Sequence, residues 1–236
     1  MRKNVIVSAI SLLLLLAAPR LAQAQSGGAY GKLTQVFEPG IVGATTDYLE
    51  SVLGPAKRKD QLGDTTFREY QVGGCRVEVT GGDTVKTIAV PELSSGCSFD
   101  FAKLATNPDV TGPVSAFGMT FGDLYRALSL PDIEFRRDCL HLCGNAAAPE
   151  IGFNFVTPLR GRLHLSAWLY LTGEEKDRKG KDVFDLAEEF KSYLISRQGQ
   201  DKVYSVEYDI SREDSDRAMG LFEDSYVNAV QIGQDN

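Results

Sequence analysis

Gly43-Ala44-Thr45-Thr46-Asp47-Tyr48-Leu49-Glu50-Ser51-Val52-Leu53-Gly54-Pro55 decides the fold class, because a looser copy returns as Gly118-Met119-Thr120-Phe121-Gly122-Asp123-Leu124-Tyr125-Arg126-Ala127-Leu128-Ser129-Leu130-Pro131. In each copy a Gly-x-Thr turn opens a short amphipathic helix, and a Pro stands just beyond its end. Thr45 or Thr46 can cap the first helix, with Tyr48, Leu49, Val52 and Leu53 at helical spacing on one face. Gly54-Pro55 stops it. In the second copy Leu124, Tyr125, Ala127 and Leu128 fall on or near one face. A short helix written twice predicts two tandem copies of one helix-plus-sheet unit.

The stretches around the two helices read as antiparallel strands. Residues 66–72 and 75–80 alternate across Gly73-Gly74, and 84–90 follows a Thr80-Gly81-Gly82-Asp83 turn. Cys75, Val77 and Val79 would face inward while Arg76, Glu78 and Thr80 face water. The turn-rich segment 106–113 is the expected linker between a first α+β repeat at 35–105 and a second at 114–236. The second repeat contains strands at 151–157 and 162–171, a charged loop at 174–182 and a strong helix at 183–197. Val183, Leu186, Ala187, Phe190 and Leu194 form that helix's stripe. Residues 202–210 read as a strand with Tyr204, Val206, Tyr208 and Ile210 inward. A last helix is expected from Ser211, carrying Ala218, Leu221, Phe222, Tyr226 and Val230. The fold class is α+β: two tandem helix-plus-antiparallel-sheet units with additional C-terminal helices.

The N-terminus is set aside from the fold. Arg2 and Lys3 precede an apolar run from Val5 to Ala18, and Ala22-Gln23-Ala24 offers the small-x-small pattern of signal-peptidase cleavage. The run is shorter than the roughly 20 residues that cross a bilayer. Residues 1–24 are therefore expected to be a signal peptide and 25–34 a flexible leader. The mature chain would carry no integral membrane segment and would be periplasmic or secreted. No Cys lies near the cleavage point, so no lipid anchor is expected. Losing residues 1–24 removes three basic residues and no acid, leaving 22 basic against 32 acidic, a net charge near −10. Such a surface repels phosphate backbones, which excludes nucleic acid as a partner. The acidity by itself names no positive partner. Cys75, Cys97, Cys139 and Cys143 are an even set for an oxidising compartment, with three possible pairings. Pairing by neighbourhood would join Cys75 to Cys97 and Cys139 to Cys143.

The chemistry-bearing residues cluster at 162–171. Leu163, Leu165, Ala167, Leu169 and Leu171 make one apolar face of this strand; Arg162, His164, Ser166, Trp168 and Tyr170 make the other. The second face holds the sole Trp of the chain, and Trp, Tyr and Arg are the residue types enriched in binding hot spots. Two arrangements are open: this face receives a partner, or the C-terminal helices fold back over it. His164 and Ser166 evoke a small hydrolase. Yet i and i+2 side chains on a strand stand roughly 7 Å apart, and no Gly-x-Ser-x-Gly elbow is present. Cys139-Leu140-His141-Leu142-Cys143 with His164 could supply zinc ligands, but exported thiols are usually oxidised, which favours a disulfide over a metal. No catalytic residue, metal or cofactor is expected. Glu174-Glu175 and Glu188-Glu189 read as solvated charge runs.

The paired Gly-x-Thr helices also carry a resemblance. Gly43, Thr45, Leu49, Leu53, Gly54 and Pro55, with Phe117-Gly118-Met119-Thr120 and Leu124, resemble motifs of the β-lactamase inhibitory protein. They are similar too to those of the small outer-membrane assembly lipoproteins of the SmpA/OmlA type. The resemblance covers about residues 35–171. It implies a helical pair on an antiparallel sheet, repeated in tandem with a disulfide in each unit, and a habit of binding proteins with the sheet face. The assembly lipoproteins carry a lipidated Cys that this chain lacks. The expectation is a non-catalytic protein-binding module, an inhibitor or immunity-type factor whose partner is another protein of the cell envelope. An envelope-assembly scaffold is the alternative.

Overall fold

The computed structural model describes residues 28–129, 131–136, 150–156, 163–171, 174–205 and 208–234. Residues 1–24, expected as a signal peptide, and Arg162, Cys139 and Cys143 lie outside them. The architecture is α+β, with one eight-stranded antiparallel sheet and six α-helices among the described residues.

Helix α1 spans Ala29–Val36 and α2 spans Thr46–Leu53. The Thr45 hydroxyl oxygen accepts a hydrogen bond from the Tyr48 N–H at 3.2 Å, satisfying one of the donors left free at a helix start. Gly54, at φ 95°, ends the helix where a side chain would be strained. Strands β1 Arg58–Leu62, β2 Thr65–Val72, β3 Cys75–Gly81 and β4 Val85–Val90 form a meander. Helix α3, Phe121–Ala127, opens on a capping box in which Thr120 and Asp123 each satisfy the other's backbone. It precedes β5 Asp132–Phe135, β6 Glu150–Val156 and β7 Leu163–Tyr170. Then come α4 Val183–Gln198, α5 Gln200–Tyr204, α6 Arg212–Phe222 and the last strand, β8 Ala229–Gln234. The sheet order is β1-β2-β3-β4-β8-β7-β6-β5, so β8 returns to the middle and joins the two meanders.

The two helix starts agree in detail. Gly43 and Gly118 have φ of 90° and 89°. Thr45 bridges Thr84 just before β4, and Thr120 bridges Tyr226 just before β8. The Val85 N–H donates to Ala44 O, and the Val227 N–H to Met119 O, both at 2.9 Å.

The helices share one face of the sheet. Phe121 of α3 meets Phe153 of β6 at 5.0 Å between ring centroids, and Phe190 of α4 meets Phe135 of β5 at 4.8 Å. Phe222 of α6 stands against Phe190. In the first half Leu33, Val36, Leu49 and Leu53 are buried in one cluster with Tyr70, Val77 and Val79. Each large side chain so buried contributes about 1.5–3 kcal/mol. Cys75 and Cys97 are bonded, with Cα atoms 4.9 Å apart, as neighbourhood pairing expects.

Several elements differ from the sequence expectations. The stretch read as a flexible leader holds α1, whose Leu33 and Val36 are fully buried. The described residues of 202–210 form no strand: α5 occupies Gln200–Tyr204, with Val203 buried and Tyr204 exposed, and Val206 lies outside the described residues. The last helix starts at the Ser211 cap as expected but ends at Phe222. Val230 lies instead on a central strand, where Val230 and Ile232 enter the core and Ala229 and Gly233 are buried on the other side. The expected linker packs onto α3, with the N–H groups of Thr106 and Asn107 both donating to Ala127 O.

Candidate functional site

Opposite the helices, the sheet presents its second face. Residues paired across antiparallel strands point to the same side, so the register traces this face across every strand. One lateral row runs Arg58, Glu69, Glu78 and Ala89 on β1–β4. It continues through Gln231, Ser166, Asn154 and Glu134 on β8, β7, β6 and β5.

The alternation expected in β7 is present. Leu163, Leu165, Ala167, Leu169 and Leu171 are buried, while His164, Trp168 and Tyr170 are half-buried on the helix-free face. Ser166 shares that face but is 8% exposed. Its hydroxyl donates to Asn154 Oδ1 at 2.8 Å, and Asn154 Nδ2 reaches Glu134 Oε2 at 3.5 Å. The Ser166 proton is thus engaged with an amide oxygen, not with an imidazole.

The Arg136 guanidinium stands 4.7 Å from the centroid of the Trp168 ring, a cation–π contact that fixes the indole. Its position follows from β5–β6 pairing, because the Arg136 N–H donates to Gly152 O at 2.9 Å and Gly152 pairs with Trp168. Asn228 pins the far end of β7: its N–H donates to Trp168 O at 2.9 Å and its Oδ1 accepts from the Tyr170 N–H at 3.1 Å. Burial pushes the Tyr170 hydroxyl above its ordinary range, and the Glu150 and Glu78 carboxylates push it further, against Arg136 and Arg76. Glu78 and Arg76 lie on β3, beyond β8 and β4, so Tyr170 feels charges across the middle of the sheet. That middle is lined by the small residues Thr87, Ala89, Ala229 and Gly233.

Among the described residues the face is acidic on balance. Its first half carries Asp60, Glu69 and Glu78 with Arg58 and Arg76; its second carries Asp132, Glu134 and Glu150 with Arg136. Sequence reasoning placed His164, Ser166, Trp168 and Tyr170 on one face of β7 and turned Arg76 and Glu78 outward on β3, but did not name Arg136, Asn154, Glu150, Glu69 or the β1 charges beside them. The polar alternation Glu150, Asn154 in β6 was the available signal. Among the described residues no group of three His, Cys, Asp or Glu side chains could hold a metal ion; His141, Cys139 and Cys143 lie outside them. Among the same residues no helix is long and apolar enough to cross a membrane.

No family model matches the chain, and no curated protein matches it. Among solved structures, this chain is similar to a cysteine-rich secretory protein from Staphylococcus aureus subsp. aureus Mu50, at 10% identity over 83% of this chain and with a TM-score of 0.34; the match spans 45% of that protein's length.

Proposed function

We propose that the protein is an exported, non-catalytic binding module that docks the helix-free face of its sheet onto another protein of the cell envelope, as an inhibitor or immunity-type factor does. The observation that carries this reading is the Arg136–Trp168–Tyr170 group, with Trp168 and Tyr170 half-exposed on a face against which none of the described helices packs. These are the residue types that dominate binding energies when buried by a partner, and their backbone is held on β-strands that need no reordering. No cofactor or reaction step enters. The Cys75–Cys97 disulfide fits an oxidising compartment such as the periplasm or the extracellular space. The matched glycine conformations, threonine caps and bridges at the two helix starts support reading the chain as two copies of one unit, whose sheets join edge to edge through β4 and β8.

The test is capture from an envelope extract with the chain lacking residues 1–24 as bait, in wild-type form and with Trp168→Ala and Tyr170→Ala together. Loss of the captured protein, with circular dichroism unchanged, is the expected result. Truncating two such anchors costs about 2 kcal/mol or more each where they are hot spots. Undiminished capture by the double variant would place the partner on another surface.

A further inference from the structure

The first half of the face contains an opposition that the second half avoids. Glu69 and Glu78 are directly paired across β2 and β3, both half-buried. Like charges placed directly opposite on one face of a sheet destabilise it. The neighbouring cations resolve only half of the pair. Arg58, although opposite Glu69, forms its ion pair with Asp60 at 2.6 Å. Arg76 reaches Glu78 at 3.3 Å. Among the described residues Glu69 has no ion-pair partner. In the same lateral row beyond the central Ala89–Gln231 pair, Ser166 and Asn154 are joined by a hydrogen bond instead. A row that is satisfied on one side and on the other sets Glu69, without an ion pair among the described residues, against a Glu78 met only by Arg76 holds an unmet demand for positive charge.

The surroundings suit a protein side chain better than a free ion. The next residue in the row is Ala89, and the small residues of β4 and β8, with Gln231 among them, form the floor between Glu78 and the Trp168–Tyr170 wall. A long basic side chain can lie its methylenes along such a floor, with its charged head at the carboxylates. Among the described strand residues of this face and Arg136 beside it, six carboxylates stand against three guanidinium groups, a balance that attracts a basic partner from a distance as well as at contact.

Resting on the binding reading above, we propose that the partner presents a basic segment, with an Arg or Lys seated between Glu69 and Glu78 and the neighbouring surface packed against Trp168 and Tyr170.

A short fluorescein-labelled Arg-Ser repeat peptide, with its Glu-Ser twin as control, tests this by fluorescence anisotropy against the folded chain. Saturable binding of the Arg-Ser peptide, weakened by added salt, is expected. The Glu69→Gln/Glu78→Gln variant should bind about tenfold more weakly or not at all. A Glu188→Gln/Glu189→Gln variant, altered on α4, should bind as wild type does. Glu69→Gln alone should raise the melting temperature by roughly 1–3 °C, because it removes the like-charge opposition. Undiminished binding by the Glu69→Gln/Glu78→Gln variant, equal binding of the acidic twin, or no binding by the wild type overturns the basic-segment assignment. So does a lower melting temperature for Glu69→Gln. None of these results decides the envelope capture through Trp168 and Tyr170, which stands or falls on its own experiment.

Discussion

Ser129 is the sole non-glycine with positive φ among the described residues, at 56°. It follows α3 as Gly54, at φ 95°, follows α2, and it meets the same need to turn the chain out of a helix. Glycine takes that conformation without crowding its own Cβ; serine does so at a cost of roughly 1 kcal/mol. Ser129 is exposed, so replacing it removes no buried contact. Ser129→Gly is therefore expected to stabilise the fold by about 0.5–1 kcal/mol, with glycine's larger unfolded-state entropy offsetting part of the gain. Gly54→Ser should destabilise by more, about 1–3 kcal/mol, because φ 95° with ψ 179° is a region reached essentially by glycine alone. Urea midpoints of the two variants check both signs, and a less stable Ser129→Gly would mean that the serine side chain makes a contact worth more than the strain.

The elements are held at their ends as much as along their faces. The α6 capping box uses Asp214, which has no exposed surface; its carboxylate accepts from the Ser211 N–H and hydroxyl, from Tyr193 Oη at 2.9 Å, and pairs with Arg197. Burial alone would raise its pKa, but the Ser211 and Tyr193 hydrogen bonds and the Arg197 charge outweigh that and hold it below the ordinary carboxylate value. A depressed folded-state pKa contributes stability that is complete above the unfolded value, near 4, and is lost as pH falls through the folded one. Asp123, which caps α3 and holds Arg178 and Arg126, is lowered against its burial in the same way. Asp214→Asn should cost about 2 kcal/mol at neutral pH and flatten the acid limb of the stability profile. Urea titrations at pH 7 and near pH 3 measure this, and a deficit equally large at both would show that packing, not charge, is what is lost.

The same local signals explain what the sequence disclosed. Helices α2, α3 and α4 and the start of α6 were legible because Thr45, Thr120, Asp182 and Ser211 are caps followed by apolar stripes. Strands β2, β3 and β7 were legible because one face of each is buried, which writes the period of two into the chain. β1 was missed because all five of its residues are exposed at the sheet edge, where charge guards against unwanted pairing and erases the pattern. β8 was misread because its neighbours β4 and β7 bury residues on both of its sides, so Ala229-Val230-Gln231-Ile232-Gly233 shows no clean alternation. At the candidate site, Trp168 and Tyr170 could be read from β7 alone. Arg136 and the Glu69–Glu78 pair arise only from register between strands distant in sequence, which no local period encodes.

At the scale of the molecule, the decisive contact is the pairing of β4 with β8, from Thr87↔Gly233 to Val90↔Val230. It makes one sheet of two meanders and leaves neither with an inner edge. If that seam couples the halves, a perturbation confined to the first must be felt in the second. The protein supplies both tools: its one disulfide among the described residues ties Cys75 on β3 to Cys97, and its sole Trp, Trp168, reports from β7. The bridge closes a loop with a sequence separation of 22 residues, worth about 3 kcal/mol in the chain-entropy account. Cys75→Ser/Cys97→Ser should therefore move the Trp168 fluorescence transition in urea to lower concentration by the full amount seen in far-ultraviolet circular dichroism, as one cooperative step. Coupled strands cannot do otherwise, because losing β3 and β4 would strip β8 of half its ladder and open an edge beside β7. A Trp168 transition that stays in place while the dichroism splits in two would mean that the seam is weak and that each half folds for itself.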